Sequence, residues 1–148
     1  MKILDIGCGD KCMDGAIGID KNYPCTHIMD LDISKIPYKN GYFDLVISED
    51  SLEHFGNPKH VFSEVNRVLR KYGRFNVKTV NVSFWLIKLL PLDFNRLWRH
   101  KLHTKRTGHL IHWTPDMLRM WMELNGFKVQ SLSGSIWQYQ ILCSGVKI

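Results

Sequence analysis

ILDIGCGDKCMDGAIGIDKN, residues 3–22, decides the fold. ILDI and AIGI are short, branched apolar runs of the kind that form buried strands of a parallel sheet. Between them lies a brief loop that opens on Gly7 and Gly9, with Asp5 before it and Asp20 at the end of the second run. In an open parallel sheet, ligands sit beyond the carboxyl ends of the strands, and a glycine turn after the first strand lets a ligand approach the backbone. A carboxylate at the end of the second strand can accept both hydroxyls of a ribose.

Working outward, HIMDLDI (27–33), FDLVIS (43–48) and RFNVKTV (74–80) read as further strands bounded by Gly, Asp or Pro. NPKHVFSEVNRVLRKYG predicts a helix capped by Asn57, with Pro58 at its first position, Val61, Phe62, Val65, Val68 and Leu69 on one face, and Gly73 as its stop. TPDMLRMWMELNGF repeats that grammar with Thr114, Pro115 and Gly126. FKVQSLS and IWQYQILCSGVKI predict a terminal strand pair. The expected fold is α/β, a Rossmann-like, mostly parallel sheet with a terminal antiparallel strand, trimmed at the N-terminus and covered by helices on both faces.

At 148 residues and 45% hydrophobic content the chain suits one domain, 1–148, with one core. The longest apolar run, Phe84–Ile87, is far below bilayer-spanning length, and the start carries no leader pattern, so neither export nor a transmembrane segment is expected. Cys8, Cys12, Cys25 and Cys143 match neither a CxxC zinc pair nor a disulfide framework; reduced thiols and a cytoplasmic location follow. Residues 81–113 hold six Lys/Arg against Asp93 alone, which is +5 of the net +6. His100, His103, His109 and His112 lie there too, but with no accompanying acid or cysteine pattern no metal is expected.

A dinucleotide fits the opening loop badly. The third glycine of G-x-G-x-x-G would fall at Cys12, and Asp20 follows Gly9 too closely for the long helix that would hold a phosphate. The loop suits a ligand with adenosine but no phosphate.

Taken in order, the motifs resemble those of class I S-adenosylmethionine-dependent methyltransferases, in particular the small type 11 branch. Asp5-Ile-Gly7-Cys8-Gly9 is similar to the family's first motif and Gly18-Ile-Asp20 to its ribose-binding acid. Asp32-Ile-Ser-Lys-Ile-Pro37-Tyr38 resembles the adenine-side segment, Gly41–Ser48 the SFDxV strand, and Glu49–His54 the LEH element. Glu64–Gly73, Gly108-His109, Thr114–Leu118 and Asn125-Gly126-Phe127 resemble the later motifs.

The resemblance implies S-adenosylmethionine as cofactor, bordered by Asp5, Gly7, Cys8, Gly9, Asp20, Lys21, Asp32, Ile33 and Glu49. It also implies an acceptor beside Asp50 and His54, with His54 as candidate base; a purely structural hydrogen bond from His54 is the equal alternative. Asp10–Ala16 has room for only one or two helical turns where the family has a full helix, and no helix precedes the first strand, so the cofactor site is expected to lack cover on that side.

Residues 81–113 are expected to act as a basic lid or acceptor-recognition insertion, with Arg99, Lys101, Lys105, Arg106 and His109 toward an anionic acceptor. Two functions remain open. One is methyl transfer to a small-molecule, glycan or lipid-linked acceptor; the other is a non-catalytic S-adenosylmethionine-binding module whose basic arm holds nucleic acid or a protein partner. The oligomeric state is open as well.

Overall fold

The computed structural model of the chain describes residues 1–84 and 109–148. Seven strands form one sheet: β1 (Ile3–Ile6), β2 (Ile17–Asp20), β3 (His27–Ile28), β4 (Phe43–Glu49), β5 (Leu69–Val80), β6 (Phe127–Ser133) and β7 (Gln140–Lys147). Their order is β3-β2-β1-β4-β5-β7-β6. The pairs from β3 to β5 are parallel, whereas β7 runs antiparallel to both β5 and β6. The strand order reverses direction at β1/β4, so the carboxyl ends of these two strands form the crevice where such sheets bind ligands.

Two helices are described, α1 (Pro58–Val68) and α2 (Pro115–Leu124). Each begins as its sequence dictates: Asn57 accepts from the His60 amide and Thr114 from the Met117 amide, with proline in the first turn of both. Both cover one face of the sheet. Phe62 of α1 packs on Phe75 of β5 and on Trp121 of α2, at ring-centroid distances of 5.6 and 5.8 Å. Leu4, Ile6, Val46, Phe75, Val77, Phe127, Ile141 and Trp113 complete that buried layer.

The expectation of helices on both faces is not met among the described residues. The opposite face carries Arg74, Asn76 and Lys78 at alternate positions of β5, and its Leu142 is 52% exposed. Among the described residues the β1–β2 crossover runs across it, tied there by the Met13 amide donating to the Asp5 carboxylate. That crossover contains turns and no helix.

Two other expectations are corrected. The third strand is confined to His27–Ile28, because the Asp30 side chain and carbonyl accept the amides of Asp32, Ile33 and Ser34 and curl the chain into a turn. The first helix stops at Val68 rather than at Gly73. Leu69 is fully buried and extended, pairs with Phe43, and gives its carbonyl to Lys147 Nζ. Gly73 instead fits an irregular start of β5, where a Cβ would lie 2.9 Å from the Arg70 carbonyl oxygen.

The expected lid segment is described at its two ends only. The Val82 amide donates to the Trp113 carbonyl, so the ends meet at the carboxyl rim, and Asn81 secures the near one through bonds to Gly134, Ser135 and Gln138 carbonyls. Arg99, Lys101, Lys105 and Arg106 lie outside the described residues.

Candidate cofactor and acceptor site

The glycine turn after β1 is shaped from below and open from above. Gly7 and Gly9 both adopt left-handed backbone, with φ of 66° and 61°. A Cβ on Gly7 would lie 2.4 Å from Ser51 Cβ, whereas a Cβ on Gly9 would meet nothing within 4 Å. Ser51 holds this floor: its hydroxyl donates to the Ile6 carbonyl at 2.9 Å and shares a 2.7 Å hydrogen bond with Ser48.

Asp20, at the end of β2, accepts the Gly9 amide at 3.0 Å on one oxygen and the Asn22 and Tyr23 amides on the other. It therefore fixes the loop from the side and keeps about one of its roughly four acceptor positions, on the oxygen that takes the Gly9 amide, for a ligand. Asp5 is 6% exposed, and burial pushes its carboxyl above the ordinary value despite the Met13 amide. Cys8 and Cys12 send their sulfurs to within 3 Å of where a Gly18 Cβ would stand, so Gly18 makes room for the crossover. Burial and the neighbouring Cys25 push the Cys8 thiol far up, and all four cysteines are free thiols.

Three other expected cofactor residues have the following surroundings. Both Asp32 oxygens accept backbone amides from the entry to α1, those of Gly56 and Asn57 at 3.0 Å each. Lys21 is paired with Asp30, and Ile33 is exposed.

A second cluster of polar side chains is built at the end of β4. Asp50 has a φ of 46°, unusual for a residue with a side chain, and its amide donates to Lys78 of β5. Lys78 bridges Glu49 and Asp50 at 3.3 and 3.4 Å, and Gln140 reaches Asp50 from β7. A single 3₁₀ turn, Leu52–His54, follows. Glu53 points inward at 2% exposure and accepts from Thr79 Oγ1 at 2.8 Å; burial holds its carboxyl above the usual range.

His54 packs edge-to-face on His109 with ring centroids 5.0 Å apart. Desolvation draws both imidazoles below their ordinary value, although the outer edge of His54 remains exposed. Sequence reasoning gave no individual role to Ser51, Glu53, Lys78, Thr79 and Gln140; the last three are set in place by strand register rather than by local pattern.

The profile of a family described as methyltransferase domain matches residues 1–132. An uncharacterized protein of Methanocaldococcus jannaschii, MJ1252, is 33% identical, with 64% of this chain and 44% of that protein covered. A sarcosine/dimethylglycine N-methyltransferase of Halorhodospira halochloris is 36% identical over 45% of this chain and 23% of its own length. The chain thus matches less than half the length of these curated relatives. An S-adenosylmethionine-dependent methyltransferase structure from Mesorhizobium loti superposes with a TM-score of 0.73 at 16% identity, covering 99% of this chain and 90% of that one.

Fold and comparisons together define the class, an α/β methyltransferase domain. The chain belongs to the methyltransferase domain family. The residues present fit S-adenosylmethionine: Gly9 leaves open space beside Asp20, and Glu49 and Asp50 stand on the rim, bridged by Lys78.

Proposed function

We propose that the chain transfers the methyl group of S-adenosylmethionine to a nucleophile held against Asp50 and His54. The observation that carries this reading is the contrast between the two loop glycines: Gly7 is closed by Ser51, while Gly9 opens upward next to Asp20. The bound cofactor supplies an electrophilic methyl on a positive sulfur. The chain's own part is to bind, orient and manage a proton.

The Gly7, Cys8 and Gly9 backbone borders the ligand, with Asp5 beneath it. Asp20 accepts the ribose hydroxyls, and Asp32, Ile33 and Lys21 flank the adenine side. Glu49 and Asp50 face the positive end, their charge moderated by Lys78. His54 takes the proton of the acceptor from a position fixed by the His109 ring. Positioning of this kind supplies much of the barrier reduction in a direct group transfer.

The +5 charge of residues 81–113 favours an anionic acceptor, held by Arg99, Lys101, Lys105, Arg106 and His109. Four free thiols favour a cytoplasmic setting, and no helix among the described residues is long and apolar enough to cross a membrane. The test is formation of S-adenosylhomocysteine when the purified chain is given S-adenosylmethionine and a panel of hydroxyl- and amine-bearing anions. Turnover that falls in the His54→Gln variant supports the reading. Cofactor binding without turnover on any acceptor, accompanied by salt-sensitive RNA binding, would make the chain a binding module instead.

A further inference from the structure

We propose that Glu53, His54 and His109 bind one divalent transition-metal cation of the zinc type on the acceptor side of the rim. The inference rests on the reading of that rim as the acceptor side and adds a substrate class, an acceptor whose nucleophile is a hydroxyl. One ligand atom from each of the three residues lies within 4.8 Å of the other two. A cation about 2.0–2.2 Å from each donor would draw them to ~3–3.5 Å, a movement within reach of side-chain rotation. Two imidazoles and one carboxylate make the donor set of metal sites that keep positions open for a substrate oxygen.

The cluster is assembled by tertiary structure. The Leu110 and Ile111 amides both donate to the Glu53 carbonyl, at 2.9 and 3.1 Å, and this clamp sets His109 beside the 3₁₀ turn that carries Glu53 and His54. Thr79 Oγ1 fixes one oxygen of Glu53 from β5, the kind of outer hydrogen bond that orients a metal-binding carboxylate. Charge points the same way. Lys78 pairs with Glu49 and Asp50, while among the described residues no ion pair reaches Glu53, a buried carboxylate next to two imidazoles.

With the cation in place, His54 gives its lone pair to the ion rather than to the acceptor's proton. The ion binds the acceptor hydroxyl and makes it more acidic, so the O–H bond yields its proton to solvent. The oxygen electron pair forms the new C–O bond as the methyl C–S bond breaks, its electrons returning to sulfur. The products are a methyl ether, S-adenosylhomocysteine and one proton.

The experiment is titration of the metal-free chain with Co2+, followed by visible absorption and calorimetry, with neither cofactor nor acceptor present. One Co2+ per chain, displaced by Zn2+, is expected. His54→Asn and His109→Asn should each weaken it about tenfold or more with unchanged circular dichroism, while His60→Asn, whose ring bonds the Ser34 carbonyl, leaves it unaltered. Absence of Co2+ uptake, or uptake that both variants retain, overturns the site. S-adenosylhomocysteine titrated into the same samples separates the two ideas: intact cofactor binding without Co2+ uptake removes the cation alone, whereas loss of cofactor binding to the unaltered chain removes the methyl-transfer reading beneath it.

Discussion

Substituting the two loop glycines one at a time separates folding from cofactor binding. In Gly9→Ala the new methyl meets nothing within 4 Å, so the only cost to the fold is holding alanine at a φ of 61°. That is about 1–2 kcal/mol, which lowers the melting temperature by roughly 3–8 °C in a domain of this size. In Gly7→Ala the same conformational cost is joined by a Cβ 2.4 Å from Ser51 Cβ, overpacking that costs about 1–3 kcal/mol more. Any retreat of Ser51 also strains its bonds to Ile6 and Ser48, worth about 1 kcal/mol each.

Gly7→Ala is therefore expected to lose about 3–6 kcal/mol, a large share of an ordinary domain's ~5–15 kcal/mol. The assays are urea unfolding and calorimetric titration with S-adenosylhomocysteine. Gly9→Ala should fold and yet bind at least about tenfold more weakly, a loss of ~1.4 kcal/mol, because its methyl occupies the side the ligand approaches. Wild-type affinity in a folded Gly9→Ala variant would place the ligand elsewhere and refute the reasoning.

Other outcomes follow from particular contacts. Asp32→Ala should destabilise the entry to α1 by about 1–2 kcal/mol in urea unfolding, since its two oxygens accept the Gly56 and Asn57 amides there. Arg67 donates to both Glu64 oxygens and to the carbonyls of Ile36 and Tyr38, so Arg67→Met should cost about 3–5 kcal/mol by leaving Glu64 unpaired. The Arg67 guanidinium holds the Glu64 carboxyl below its usual range. The stability this supplies is full above the unfolded value of roughly 4.3 and is lost as pH falls through the lower folded value. The urea midpoint should accordingly drop on the acid side of pH 4, and less steeply in Glu64→Gln.

What the sequence disclosed was what local chemistry controls. Asn57-Pro58 and Thr114-Pro115 start helices wherever they sit, and the ILDI and FDLVIS runs form strands because every side chain in them can be buried or paired. The pairing of Gly9 with Asp20 was legible because the two act on one another across a single short loop.

The errors arose where distant groups prevail. The helix after Asn57 ends early because Lys147, at the other end of the chain, takes the Leu69 carbonyl. The anchoring of the α1 entry by Asp32 was not legible either, because its partners Gly56 and Asn57 lie far along the chain and become neighbours only after folding. His109 reaches His54 through amides that no spacing rule reveals, so the grouping of Glu53, His54 and His109 was not legible in the sequence.

The most direct measurement of the central claim is calorimetric titration of the purified chain, beside its Asp20→Ala variant, with S-adenosylhomocysteine and with NAD. The account requires one S-adenosylhomocysteine per chain, weaker or undetectable NAD, and a loss of about 1.5–3 kcal/mol in the variant as the ribose hydroxyls lose a charged acceptor. Tighter binding of NAD, or equal S-adenosylhomocysteine affinity in the two proteins, would contradict it.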